Sequence, residues 1–112
     1  MTTQERRRHV RTKPTAALPA RAVRALDALL QESVEIVDIS VGGMALASVN
    51  ADVGTKMRLR LTLAGQGEHV VDAIVRWASR DSTGVELVDP PAPTTQALQR
   101  YVAELLERGA AG

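Results

Sequence analysis

The sequence predicts an antiparallel all-β domain, a sandwich or small barrel, with one helix at its C-terminus. Three observations point there. Residues Lys56 to Leu63 alternate polar and apolar without a fault, the mark of a strand with one wet face. Other short apolar runs follow one another with Gly-containing turns between them, as in small β-domains. After the Pro-rich run Asp89-Pro90-Pro91-Ala92-Pro93, apolar residues recur at intervals of three and four.

Composition sets the frame. With 112 residues the chain makes one domain with a single core, and its 45% apolar content is in the globular range. Only Trp77 and Tyr101 are aromatic, so Val, Leu, Ile, Ala and Met must build that core, and stacking of a flat ligand on several rings is disfavoured. The absence of cysteine excludes disulfides, thiolate catalysis and sulfur-ligated metals, and fits a reducing compartment. The basic N-terminus lacks the apolar stretch of a secretory signal, and no segment approaches the ~20 apolar residues that cross a bilayer. No membrane insertion is expected, and the cytoplasm is the default location.

Taken in order, residues 1–13 read as a polar, basic arm that is mobile until something binds it, ending at Pro14. Residues 14–89 read as the barrel and 90–112 as linker and helix. Within Ala16 to Leu30, the Ala, Leu and Arg content and the spacing of Val23, Leu26, Leu29 and Leu30 favour a helix. A strand over roughly Thr15 to Arg24 is the alternative. Val34 to Ile39 reads as a mostly buried strand and Met44 to Val49 as the next, with Asn50 to Gly54 turning. Lys56 to Leu63 follows, and Ala64 to Gly67 closes a hairpin into Val70 to Ala78. That strand carries Val71, Ala73, Val75 and Trp77 on one face, Asp72 and Arg76 on the other. After a turn at Arg80 to Gly84, Val85 to Val88 is the last strand. Thr94 or Thr95 caps the helix, Leu98, Tyr101, Val102, Leu105 and Leu106 form its packing stripe, and Gly109 ends it.

Catalysis finds little support. Ser40 has no base within the pattern, because the two histidines are His9, in the arm, and His69, beside a hairpin. They lack the spacing of a metal pair, so no metal site is expected. Gly42-Gly43 is not a phosphate loop, since no Gly-Lys-Ser/Thr follows. Charge is more informative. The net charge is +1, but Arg6, Arg7, Arg8, Arg11 and Lys13 crowd together near the start. This favours a local anion site over a broad nucleic-acid face, so no nucleic-acid partner is expected. The turn Asp38-Ile39-Ser40-Val41-Gly42-Gly43 offers a carboxylate, a hydroxyl and two glycines where a backbone can approach a ligand.

These two segments resemble the signature of the PilZ domain family, bacterial receptors for cyclic di-GMP. Arg7-Arg8-His9-Val10-Arg11 is similar to the family's RxxxR motif, and Asp38 to Gly43 to its [D/N]xSxxG motif. Val75-Arg76-Trp77 and Gly84-Val85-Glu86-Leu87 look like its last two strands. The resemblance implies a six-stranded antiparallel PilZ-type β-barrel with a C-terminal α-helix, and hence a first strand within Ala16 to Leu30. The extra length between Arg24 and Ser33 leaves room for a helical turn.

It also implies a site. Arg7 and Arg11 are the matched cations, with Arg6 and Arg8 available for further contacts; a guanidinium can fork onto phosphate or guanine and stack on a purine. Asp38 would accept from guanine N1–H and its amino group, Ser40 would meet a phosphate or base, and Gly42 and Gly43 would leave room for the nucleotide. A cation just before the motif, here Arg6, accompanies an intercalated ligand dimer in the family, which implies two nucleotides per chain. The expected partners are cyclic di-GMP and an unidentified protein effector, with the chain a monomer or weak homodimer and no enzyme. A nucleotide-independent PilZ-like adaptor is the alternative, and motility, polysaccharide export and transcription are the candidate outputs.

Overall fold

The fold is taken from a computed structural model that describes residues 11–26, 29–47 and 49–108. Six strands run in the order β1 (Ala20–Ala25), β2 (Gln31–Ile39), β3 (Gly43–Ala47), β4 (Lys56–Leu63), β5 (Gly67–Ala78) and β6 (Ser82–Val88), followed by a helix α1 (Ala92–Glu107). All neighbouring strands pair antiparallel and the sheet closes as β1-β2-β3-β6-β5-β4. Closure leaves no free edge, which suits a domain of short strands.

β4 is the clearest case of sequence becoming structure. Met57, Leu59, Leu61 and Leu63 turn inward and are buried, while Lys56, Arg58, Arg60 and Thr62, which alternate with them, face solvent. β1 is the case where pairing overrides propensity. Ala20–Ala25 is hydrogen-bonded on one side to β2 and on the other to β4, so it forms a strand and not the helix its residue types favour. The supposed helical stripe confirms the point, since Leu26, Leu29 and Leu30 are all exposed. The β1–β2 connection is closed by a bond from Leu26 N–H to Leu30 O (3.0 Å); a helical turn there would involve residues 27 and 28, which lie outside the described residues.

Two β-bulges interrupt the alternation, one residue each. In β2, Ile36 faces Leu46 and Asp38 faces Ala45, leaving Val37 as the extra residue. In β5, Val75 faces Val85 and Trp77 faces Gly84, leaving Arg76 extra. Each bulge shifts the inside-outside parity of the strand beyond it. The expected grouping of Trp77 with Val71, Ala73 and Val75 is therefore corrected: those three are buried, whereas Trp77 lies on the outer face and is 37% exposed.

The core is aliphatic apart from Tyr101, as the composition requires. Helix α1 contributes Ala97, Leu98, Tyr101 and Leu105 to it. The Tyr101 hydroxyl donates to Leu18 O at 2.6 Å, tying the helix to the chain just before β1, and burial pushes its pKa up to about 12. The helix begins earlier than the sequence suggests. Pro91 is its N-cap, Pro93 lies in its first turn, and no side chain caps it, so Thr94 and Thr95 are not caps. Thr94 instead is buried, and its hydroxyl donates to His69 Nδ1 (3.2 Å) while His69 Nε2–H donates to Gln66 O (2.9 Å). A carbonyl can only accept, which assigns the histidine proton to Nε2. The half-buried His69 thus joins the β4–β5 hairpin to the helix. Gly109, the expected C-terminal stop, lies outside the described residues.

Candidate functional site

The two bulges build one outer wall of the barrel. Beyond Val37, Asp38 shares a face with its partner Ala45; Ala45 pairs with Gly84, and Gly84 with Trp77. One row across four strands therefore runs Asp38, Ala45, Gly84, Trp77, large at its ends and small in its middle. The next row carries Gly43 opposite Glu86.

The small residues are obligatory. A Cβ on Gly84 would lie 2.1 Å from the Trp77 ring, so the indole rests directly on the β6 backbone. A Cβ on Gly43 would lie 2.2 Å from the Val85 carbonyl oxygen, so β3 and β6 approach more closely there than any side chain allows. Glycine in these strands marks close approach, and its φ is not the reason.

Beside this wall lies an open cavity of about 310 Å³, lined among others by Arg11, Ser40, Gly42, Gly43, Arg76, Trp77 and Glu86. Ser40 is held by the turn it begins, its N–H and its Oγ both donating to Gly43 O at 2.8 and 3.2 Å. With its proton so engaged, the hydroxyl offers lone pairs to the cavity. Gly42 O accepts from Leu87 N–H (3.0 Å), which pins the other side of the turn to β6.

Arg11 reaches this cavity because the residue after it is stitched to β2. Thr12 N–H donates to Ile39 O (3.0 Å) and Ile39 N–H to Thr12 O (2.8 Å), a two-bond antiparallel bridge. Thr12 is buried, and its Oγ1 has no hydrogen-bond partner among the described residues. The bridge sets Arg11 beside the Ser40–Gly43 turn although 29 positions separate Arg11 from Ser40 in sequence.

Of the eight residues singled out from the sequence, Arg11, Ser40, Gly42 and Gly43 line the cavity together. Asp38 is half-buried on the same wall but is not part of the cavity lining. Arg6, Arg7 and Arg8 lie outside the described residues. The sequence reading did not single out Arg76, Trp77, Gly84 or Glu86 as site residues. One signal was available, a lone tryptophan at a strand end; Gly84 reads in the sequence as the close of a turn, and only the structure sets it inside β6. Among the described residues no group of three or more His, Cys, Asp and Glu could hold a metal, and no helix is long and apolar enough to cross a membrane.

The PilZ domain model matches residues 5–104, and the chain belongs to the PilZ domain family. No curated protein sequence matches it. Solved structures share the fold at low identity. The PilZ domain of YcgR from Escherichia coli, solved with c-di-GMP, is 17% identical with a TM-score of 0.72, over 93% of this chain and 94% of that one. MrkH of K. pneumonia in its c-di-GMP complex is 17% identical with a TM-score of 0.76, over 92% of this chain and 53% of MrkH. The inhibitor of motility MotI/DgrA of Bacillus subtilis is 22% identical with a TM-score of 0.70, over 92% and 52%. The chain thus spans about half the length of MrkH and of MotI.

Proposed function

We propose that this chain is a receptor for cyclic di-GMP, acting in the cytoplasm as a signalling adaptor and not as an enzyme. The observation that carries the reading is the Thr12–Ile39 bridge, which brings Arg11 to the Ser40–Gly43 turn at one open cavity. Family membership supports it, as do the c-di-GMP complexes of YcgR and MrkH.

The chemistry follows from the groups at hand. The ligand carries two phosphates and two guanines. Arg11 forks onto a phosphate or the O6/N7 edge of guanine, and Arg7, four positions upstream, does the same for the other half. Asp38 accepts from a guanine N1–H and amino group, and Ser40 offers its lone pairs. The glycines admit the nucleotide to the wall, and the outer face of Trp77 offers a single stacking platform. Arg6 and Arg8 supply further cations, consistent with two nucleotides per chain. Residues 1–10 are then drawn against the barrel, and the composite surface is presented to a protein effector.

Calorimetry with cyclic di-GMP tests this on the wild type and on Arg7→Ala, Arg11→Ala and Asp38→Ala. Losing one bidentate arginine contact costs about 1–3 kcal/mol, or roughly one to two decades in affinity. Wild-type protein giving no heat at tens of micromolar would favour a nucleotide-independent adaptor. Equal binding by all four proteins would put the site elsewhere.

A further inference from the structure

We infer that Glu86 reads one of the ligand's two guanine bases and strengthens the preference for guanine over adenine; this rests on the receptor function proposed above. Glu86 is the carboxylate on the cavity lining. It stands on β6 opposite Gly43, where the two strand backbones lie too close for any side chain on β3. Gly84, two residues earlier on the same face, carries the Trp77 ring. Successive outward positions on a strand are about 7 Å apart, so a purine set against the indole extends along β6 toward the Glu86 carboxylate.

Glu86 is also oriented. Arg76, the bulged residue of β5, donates from Nε to Glu86 Oε1 at 2.6 Å. Among the described residues no donor meets Oε2. Both side chains are more than half exposed, at 60% for Arg76 and 55% for Glu86, and a surface ion pair of this kind contributes little to stability. What it does is hold an acceptor in place. Guanine presents N1–H and a 2-amino group side by side, two donors for an ionised carboxylate. Adenine in the same pose has an acceptor at N1 and no amino group at position 2; its 6-amino group lies beyond N1, and the two-donor contact with Glu86 is lost. Arg76 is a positioning residue here.

The test is calorimetry of the wild type and Glu86→Gln with cyclic di-GMP and with its adenine counterpart, cyclic di-AMP. The amide keeps shape and removes charge. Cyclic di-GMP should weaken about 10- to 100-fold while cyclic di-AMP holds or tightens, so the preference for guanine shrinks by at least tenfold. Arg76→Gln, which frees the carboxylate, should lower the same preference by a smaller factor. If wild type binds cyclic di-GMP and Glu86→Gln keeps the preference unchanged, Glu86 merely pairs with Arg76 and the inference fails alone. If wild type binds neither dinucleotide, the receptor reading fails and takes this one with it.

Discussion

Gly84→Ala is the sharpest test of how the outer wall is built. The added methyl would overlap Trp77 Cε2 and Nε1 at 2.1 Å, so the ring must leave β6. Trp77 is 37% exposed, which leaves about 150 Å² of its surface covered. Lifting the ring from the strand frees about half of that area, or roughly 2 kcal/mol at 25 cal/mol per Å². A smaller loss is expected where the indole finds a new resting place over its own strand. Because Trp77 is the one tryptophan, its fluorescence reports the ring directly. Emission should shift to the red in the native state, and the urea midpoint should fall without a change in slope. Unaltered emission together with unaltered stability would refute the seating of the ring on Gly84. Trp77→Ala supplies the control: adding Gly84→Ala to it should cost little further, since nothing remains to displace.

Further outcomes follow from the same contacts. Gly43→Ala pushes a methyl onto the Val85 backbone oxygen, which cannot rotate away as a side chain can. Overpacking of this kind should cost about 1–3 kcal/mol in urea denaturation and lower cyclic di-GMP affinity alongside. Tyr101→Phe removes the hydroxyl that donates to Leu18 O, and thermal or urea melts should show a loss of about 1–2 kcal/mol. The same hydroxyl makes stability fall in alkali. Its pKa is raised from about 10 to about 12 in the fold. The contribution is therefore whole below pH 10 and declines as pH rises toward 12, because the unfolded chain gives up the proton first. Each unit in that window removes up to about 1.4 kcal/mol, and Tyr101→Phe should lack that component of the decline.

Different parts of the molecule were legible to different degrees. β4 could be read whole, from Lys56 to Leu63, because one face is wet and the other buried along its full length. β5 and β6 begin three residues earlier than their apolar runs suggest, since pairing extends into polar positions such as Glu68 and Ser82. β1 could not be read from propensity, because Ala and Arg favour helices locally and only pairing to two neighbours decides the matter. The bulges were the least visible feature. Nothing in residue type announces that Val37 or Arg76 is surplus, yet each reverses the facing of everything after it. The resemblance to the family's two motifs groups Arg11 with Ser40, Gly42 and Gly43, whereas simple alternation sets Trp77 on one face with Val71, Ala73 and Val75, from which the bulge removes it. The helix start was misread because Thr94 has the right chemistry for a cap but is spent on His69.

Ile39 has a double role in the fold. Its side chain is fully buried, its amide and carbonyl both hold Thr12, and the next residue opens the Ser40–Gly43 turn. Residues 11 and 12 are thus joined to the hydrophobic interior through a single backbone unit, with no intervening loop between that bridge and the core.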